Sequence, residues 1–414
     1  MKRILFSIFF IFCVIQYFSC AIDFSKSKET DSQDTSTPSN DNEQTPPSNG
    51  APIEGKNAVQ IVQAMGAGWN LGNTLDACDD KSGAHKGLET ETSWGMPKTT
   101  EQTIAAVVAG GFKSIRIPVS WHNHLTNDKI DANWIARVKQ IVDWALEKNL
   151  YVVINIHHDT WNGSGNFWGY YPDNAHKEKS IQYVKNIWQQ VASEFSSYDQ
   201  RLIFETLNEP RLRNTDHEWY CGDYLQKDNC SKCAEAVQIV NELNKVALET
   251  IRAAGGKNST RLVIVPSYVA SPDYALKSSF KMPDDSAGMV ALSTHMYTPY
   301  NFAMESPGSK NFSEKHKSDL NYYFDSLNTN FVKKNVPVFI GEYGATNKNN
   351  KDERIKWVKF FVEKASKNKM ALCLWDNNEY AVSGNNYEEK FGYLNRNTLE
   401  WYDKDFIDAI MASY

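Results

Sequence analysis

Eight short runs of apolar and β-branched residues recur along the chain, and helical periodicity separates most of them. The runs are Gly66–Asn70, Ser114–Pro118, Tyr151–His157, Leu202–Asn208, Arg261–Pro266, Met289–Thr294, Val336–Gly341 and Ala371–Trp375. Their apolar content is nearly continuous, as in parallel strands covered on both faces. Between them, apolar residues return every three or four positions. Trp134, Ile135, Val138, Ile141, Val142, Ala145 and Leu146 draw one stripe along Asp131–Lys148. Ile181, Val184, Ile187, Trp188, Val191 and Phe195 draw another. Thr99 with Gln102 predicts a capping box, and Gly111 the close of that helix. Eight such units over about 360 residues predict an α/β chain folded as a (β/α)8 TIM barrel. A doubly wound open sheet is the alternative, but no Gly-x-Gly-x-x-Gly follows the first strand.

The N-terminus reads differently. Lys2 and Arg3 precede the apolar run Ile4–Ile15. A charged start before a run too short to span a bilayer predicts a secretory signal peptide over residues 1–20. Ser19-Cys20 resembles a lipoprotein cleavage site, so a lipid anchor at Cys20 is the one membrane contact expected, although Tyr17 departs from the usual Leu-like residue. No aliphatic or aromatic residue occurs from Ser25 to Gly50. Such a stretch cannot bury enough to offset ordering. Residues 21–50 are read as a flexible polar linker with a reach on the order of 28 Å. The folded domain is then residues 51–414, in an exported protein at the cell surface or outside the cell.

Forty-four basic against 50 acidic residues leave a net charge of −6 with no strongly basic region, which excludes a nucleic-acid partner. Seven cysteines are too few for a disulfide scaffold at this length. Two of Cys221, Cys230 and Cys233 are expected to pair in an exported protein. Cys373 is expected to be a free buried thiol. His122-Asn123-His124 and Cys230-Ser231-Lys232-Cys233 have metal-ligand spacing but sit on different loops, and no metal or cofactor is predicted.

In a barrel, chemistry sits at the strand C-terminal ends. There the sequence places Asn73, Arg116, His157, His158, Glu209, His295, Glu342 and Trp375. Glu209 follows the fourth run and Glu342 the seventh, so a closed barrel brings both into one cleft. Cleaving a glycosidic bond needs such a pair, with one carboxyl protonated and the other ionised. Arg116 can hold one of them anionic, and His295 and Tyr297 can donate to the same region. His122 is expected to line the cleft. Glu205 lies deeper and is expected to pair with Arg116 or a histidine.

Seven segments in order resemble glycoside hydrolase family 5, in its endo-β-1,4-glucanase branch. They are Gly68-Trp69-Asn70-Leu71-Gly72-Asn73-Thr74-Leu75-Asp76, Ile115-Arg116-Ile117-Pro118-Val119-Ser120-Trp121, Asn155-Ile156-His157-His158-Asp159, Leu207-Asn208-Glu209-Pro210, Thr294-His295-Met296-Tyr297, Gly341-Glu342-Tyr343-Gly344 and Leu374-Trp375-Asp376-Asn377. The resemblance implies a retaining endo-β-1,4-glucanase acting on cellulose-type β-glucans, with xyloglucan or mixed-linkage glucan as alternative substrates and mannan or xylan as less favoured ones. It implies Glu209 as general acid/base and Glu342 as nucleophile. Asn208 would bond the sugar 2-hydroxyl, and Arg116 and Tyr297 would orient the nucleophile. His295 and His157 would complete the polar wall, and Trp375 would form the aromatic floor. Asn73, Asp76 and His158 would bond sugar hydroxyls. The expected partner is a β-glucan chain, bound by a monomer. Met96 stands where the branch usually has Asn, which removes an amide from the cleft rim. The aromatic cluster Trp161–Tyr171 is expected to stack glucose rings away from the cleavage point.

Overall fold

The computed structural model describes residues 54–81, 84, 86–219 and 230–414. The expected leader (1–20) with Cys20, the linker (21–50), the first residues after it, and Cys221 lie outside the described residues.

Eight parallel strands close into a barrel: β1 (Ala67–Asn70), β2 (Ser114–Ile117), β3 (Tyr151–Asn155), β4 (Leu202–Glu205), β5 (Val263–Pro266), β6 (Val290–His295), β7 (Val338–Tyr343) and β8 (Ala371–Leu374). They follow one another around the ring in chain order, and β8 returns to pair with β1. Closure excludes the open sheet. The helices are α1 (Ala58–Met65), α2 (Glu101–Ala109), α3 (Ala132–Glu147), α4 (Lys177–Glu194), α5 (Ser231–Ala253), the four-residue α6 (Pro272–Ala275) and α7 (Tyr300–Ala303), α8 (Glu314–Asn330), α9 (Lys351–Lys367) and α10 (Lys404–Ser413). Among the described residues no helix is long and apolar enough to cross a membrane.

Local chemistry sets the helix starts. The Asp131 carboxylate accepts from the Asn133 and Trp134 amides and opens α3. α2 opens on a capping box between Thr100 and Thr103, one position later than the expected Thr99 and Gln102. The shift has a cause. Thr99 donates its amide to Glu91, and its carbonyl accepts from Arg137, the partner of Glu91 in a buried ion pair.

Strand alternation sorts the core into two layers. Outward residues pack against the helices in the larger cluster. Inward residues at the strand starts form a second one: Tyr151, Val153, Ile203, Leu262, Ile264, Ala291, Phe339, Ala371 and Cys373. α1 adds Ala58, Ile61, Val62 and Met65 to it, so this helix plugs the N-terminal end of the barrel. Moving by two along the same faces turns apolar into polar. Val153 leads to Asn155 and His157, Ile203 to Glu205, and Ala291 to Ser293 and His295.

β7 breaks that alternation. Thr294 of β6 pairs with Ile340, but His295 pairs with Glu342, leaving Gly341 as an extra residue. This β-bulge lets Gly341 and Glu342 both face inward, between the outward Ile340 and Tyr343. Gly341 is needed for space. A Cβ there would lie 3.1 Å from His295 Nε2 and 3.3 Å from Glu205 Oε1.

Cys233 is disulfide-bonded, whereas Cys78, Cys230 and Cys373 are free thiols. Cys230 is therefore not one of the bridging pair, and Cys373 is buried as expected.

Candidate active site

Arg116 organises the C-terminal mouth from its place near the end of β2. The guanidinium is fully buried and has four partners. It donates to Glu205 Oε2 at 2.8 Å, Asn70 Oδ1 at 3.0 Å, Glu342 Oε1 at 3.0 Å and Asn208 Oδ1 at 2.7 Å. Glu205 also accepts from Ser293 at 2.6 Å and Asn155 at 2.9 Å. It is thus the buried counter-ion of Arg116, as its depth predicted. Burial works against the Arg116 charge, but Glu205 and Glu342 raise its pKa above the ordinary range.

Glu342 takes one donor on each oxygen, Arg116 on Oε1 and the Tyr297 hydroxyl on Oε2 at 2.8 Å. These two bonds fix the orientation of the carboxylate. Glu209 lies four residues beyond β4, on a loop, not on the strand itself. Its Oε1 accepts from His295 Nδ1 at 2.8 Å, and the same nitrogen stands 3.6 Å from Glu342 Oε2. One oxygen of Glu209, one of Glu342 and a His295 nitrogen all fall within 4.8 Å of one another. The two carboxylates therefore do converge on one cleft.

His295 couples the two carboxylates electrostatically. Burial alone would raise the Glu209 pKa, but the His295 hydrogen bond, the His295 charge and the Arg211 charge outweigh it and hold Glu209 at about 2. Burial would lower His295, yet the Glu342 charge and the Glu209 bond overcome this and raise it. Both shifts favour a charged His295–Glu209 pair.

Asn208, with its carbonyl oxygen on Arg116, is 2% exposed. His157 lies parallel to Trp375 with ring centroids 5.9 Å apart, and Asn155 contacts its Nδ1 at 3.1 Å. Burial keeps His157 neutral by lowering its pKa. His158 is lowered to about 3, chiefly by burial and then by the Arg211 charge. It sits edge-on to His157 and tilted against the exposed Trp94.

Four expectations need correction. Asp76 is fully buried and accepts from the amides of Asn73 and Thr74, so it folds the loop that presents Asn73 in place of meeting sugar itself. His122 has both ring nitrogens engaged, by Asp159 at 2.7 Å and the Asp79 carbonyl at 3.3 Å, and its ring is stacked on Trp168 at 4.1 Å. It is a packing residue and not part of the cleft wall. Met96 is buried at 4% exposure, so it is no rim residue. Trp161 packs against Phe167, Tyr171 and His176, and Trp168 is buried on His122, so these rings hold their loop together.

Two residues escaped the sequence reading. Arg211 donates to the Glu209 carbonyl at 3.0 Å, and Trp219 stands on the Arg211 guanidinium with its ring half exposed. Neither lies on a periodic element, and Asn-Glu-Pro drew attention only as far as Pro210.

Among the described residues, three groups have metal-binding types at close range: His217 with Cys230 and Cys233, Asp76 with His157 and His158, and Glu209 with His295 and Glu342. None suits an ion well. Cys233 is in a disulfide, Asp76 is held by backbone amides, and the third group is bonded within itself beside the Arg116 cation.

Comparison with known proteins agrees on one family. A family model described as Cellulase (glycosyl hydrolase family 5) matches residues 78–381. Endoglucanase A of Clostridium longisporum is 42% identical over 364 residues, covering 87% of this chain and 66% of that protein. A glycoside hydrolase 5 lichenase from Caldicellulosiruptor sp. F32, solved as a mutant with cellotetraose, superposes with a TM-score of 0.80 at 40% identity, covering 89% of this chain and 99% of that one. A xyloglucan-specific endo-β-1,4-glucanase of family 5, from a metagenomic library and solved with cellotriose, gives 0.76 at 32% identity, covering 86% and 99%.

Proposed function

Because the chain belongs to glycosyl hydrolase family 5, we propose that it is a retaining endo-β-1,4-glucanase working through Glu342 and Glu209. One observation carries this reading: two carboxylates from β7 and the loop after β4 approach within 4.8 Å across the barrel mouth. Retaining enzymes hold the pair about 5–5.5 Å apart, and inverting ones need about 6.5–9.5 Å to admit a water.

In the first step the Glu342 carboxylate, oriented by Arg116 and Tyr297, attacks the anomeric carbon. As the ester forms, the Glu342 charge disappears, and with it the main attraction holding the proton on His295. That proton passes along the 2.8 Å bond to Glu209 and on to the leaving oxygen. In the second step Glu209 takes a proton from water, the hydroxide oxygen displaces Glu342, and the proton returns to His295. Asn208 has its carbonyl on Arg116, which frees its NH2 to bond the sugar 2-hydroxyl. Trp375 offers an apolar face beneath the ring.

The substrate is an unbranched or lightly branched β-1,4-glucan. Relatives include a lichenase and a xyloglucan-specific enzyme, so mixed-linkage glucan and xyloglucan belong in the test beside cellulose derivatives, mannan and xylan. Reducing-sugar release with product mapping on that panel is the experiment. Internal cuts in β-glucan support the reading, and release from mannan or xylan alone contradicts it. Residues 1–20 fit an export signal, with Cys20 as lipid attachment point. A mature N-terminus at Cys20 carrying lipid mass supports this, and an intact Met1 on exported protein contradicts it.

A further inference from the structure

Cys230-Ser231-Lys232-Cys233 opens α5, and its two sulfurs are in different states. Cys230 is the N-cap residue, a half-buried free thiol whose side chain caps no amide. Cys233 is disulfide-bonded and 7% exposed, and its partner lies outside the described residues. The two sulfurs and a ring nitrogen of His217 all fall within 4.8 Å of one another. His217 Nδ1 stands 3.6 Å from Cys233 Sγ, and both ring nitrogens stand 3.9 Å from Cys230 Sγ. The backbone of His217 is fixed: its carbonyl accepts from the Tyr268 hydroxyl at 2.7 Å, and its amide donates to Thr215 Oγ1 at 3.1 Å. The other free thiols among the described residues have no such setting. Cys373 is buried, and burial pushes its thiol up to about 12. Burial raises Cys78 too, and the charges of Asp159, Asp80 and Asp76 add to the rise.

A disulfide rearranges when a sulfur anion attacks one of its two sulfurs. Cys233 shares a buried cluster with Tyr171, Leu212 and Tyr268, which shields its sulfur from thiols in solution. Cys230 is already beside it. An attacking sulfur carries negative charge, and the start of a helix favours charge of that sign. Cys230 stands at the start of a 23-residue helix. Residues three apart on a helix are neighbours, so a Cys230–Cys233 bond closes within the first turn. We propose that Cys230 is the nucleophile of an internal disulfide-exchange site at Cys233, with His217 as its proton carrier. The Cys230 proton passes to His217, and the Cys230 sulfur bonds Cys233 Sγ. The old bond of Cys233 breaks. Its electron pair leaves on the former partner's sulfur, which takes the proton from His217. One thiol and one disulfide exist before and after, so no oxidant or reductant is consumed. The exchange moves the covalent tie of α5 from another part of the chain to the helix's own first turn. It stands apart from the hydrolase reading above.

The test reads which cysteines are bonded in the folded full chain. Protein purified without reductant and kept in EDTA is incubated at neutral pH, alkylated with N-ethylmaleimide, digested in acid and mapped by mass spectrometry. Two connectivities should appear. In one, Cys233 keeps its present bridge and Cys230 carries the label. In the other, Cys230 is bonded to Cys233 and the released cysteine carries the label. A label confined to Cys230, with no Cys230–Cys233 peptide after a day, would overturn the exchange site. Cys230→Ser should show one connectivity only, at a melting temperature near that of wild type. Label on a second cysteine of the Cys233 bridge in that variant would take the nucleophile role from Cys230. The rate at which Cys230 reacts with an aromatic disulfide reagent tests His217 separately. His217→Ala should slow it roughly tenfold, and an unchanged rate in folded protein would remove the proton carrier.

Discussion

Phe339 and Glu342 stand three residues apart on β7, and they serve opposite ends of one barrel. Phe339 belongs to the apolar plug under α1, where the side chains are hydrocarbons, a phenol, thioethers and a thiol. Glu342 belongs to the mouth, where the fully buried Arg116 meets two carboxylates. Burying apolar area stabilises the plug by roughly 25 cal/mol per Å2. Burying ions has no such return, because desolvation offsets the attraction. The same sheet therefore gains stability at one end and gives up some of it at the other for a prepared electrostatic field.

Substitutions at the two ends should separate rate from stability. Glu342→Ala should cut β-glucan turnover by at least about 10^4-fold, the scale of losing a nucleophile. Its melting temperature should stay close to wild type, because Arg116 keeps Glu205, Asn70 and Asn208. A large drop in melting temperature would mean that the mouth supports the fold after all. Glu209→Ala should cost about 10^2- to 10^4-fold on natural glucan and much less on an aryl cellobioside with an activated phenol, which needs little protonation. Equal losses on both substrates would remove the acid role.

Phe339→Ala should act the other way. It should cost about 3–5 kcal/mol in denaturant unfolding while kcat of the folded enzyme stays near wild type. A severe rate loss in fully folded protein would show that plug and mouth are coupled through β7.

The smallest effect concerns the cost of a buried acid at the mouth. Burial raises Asp76 to about 6, against the amide bonds and the Arg396 charge that lower it. Between about pH 4 and pH 6 the folded protein holds a proton that the unfolded chain has released, so this group makes stability fall as pH rises through that window. Asp76→Asn should lessen the fall, seen as a smaller melting-temperature difference between pH 4 and pH 6.5. The same pH dependence in both proteins would place Asp76 elsewhere in the balance.

The sequence revealed the barrel and two carboxylates that it brings together because both are written in residue type and order. Eight apolar runs count the strands, and Glu209 and Glu342 follow the fourth and seventh. It could not reveal which polar atoms were already occupied. Asp76 and His122 have the right chemistry for sugar, but backbone amides and Asp159 engage them first. Alternation also misleads where β7 bulges, since simple parity would turn Glu342 outward once Phe339 faces in. How strongly His295, Glu209 and Glu342 act on one another depends on distances that no spacing in the chain encodes. Trp219 carried no periodic signal at all.

The claim beneath all of this is that Glu342 forms a bond to the sugar which water then breaks, each step inverting the anomeric carbon. Proton NMR of a cello-oligosaccharide digest in its first minutes reads the outcome before mutarotation. The β-anomer should appear first at the new reducing end. Initial release of the α-anomer would mean a single displacement by water and would contradict both the nucleophile role of Glu342 and the acid/base role of Glu209.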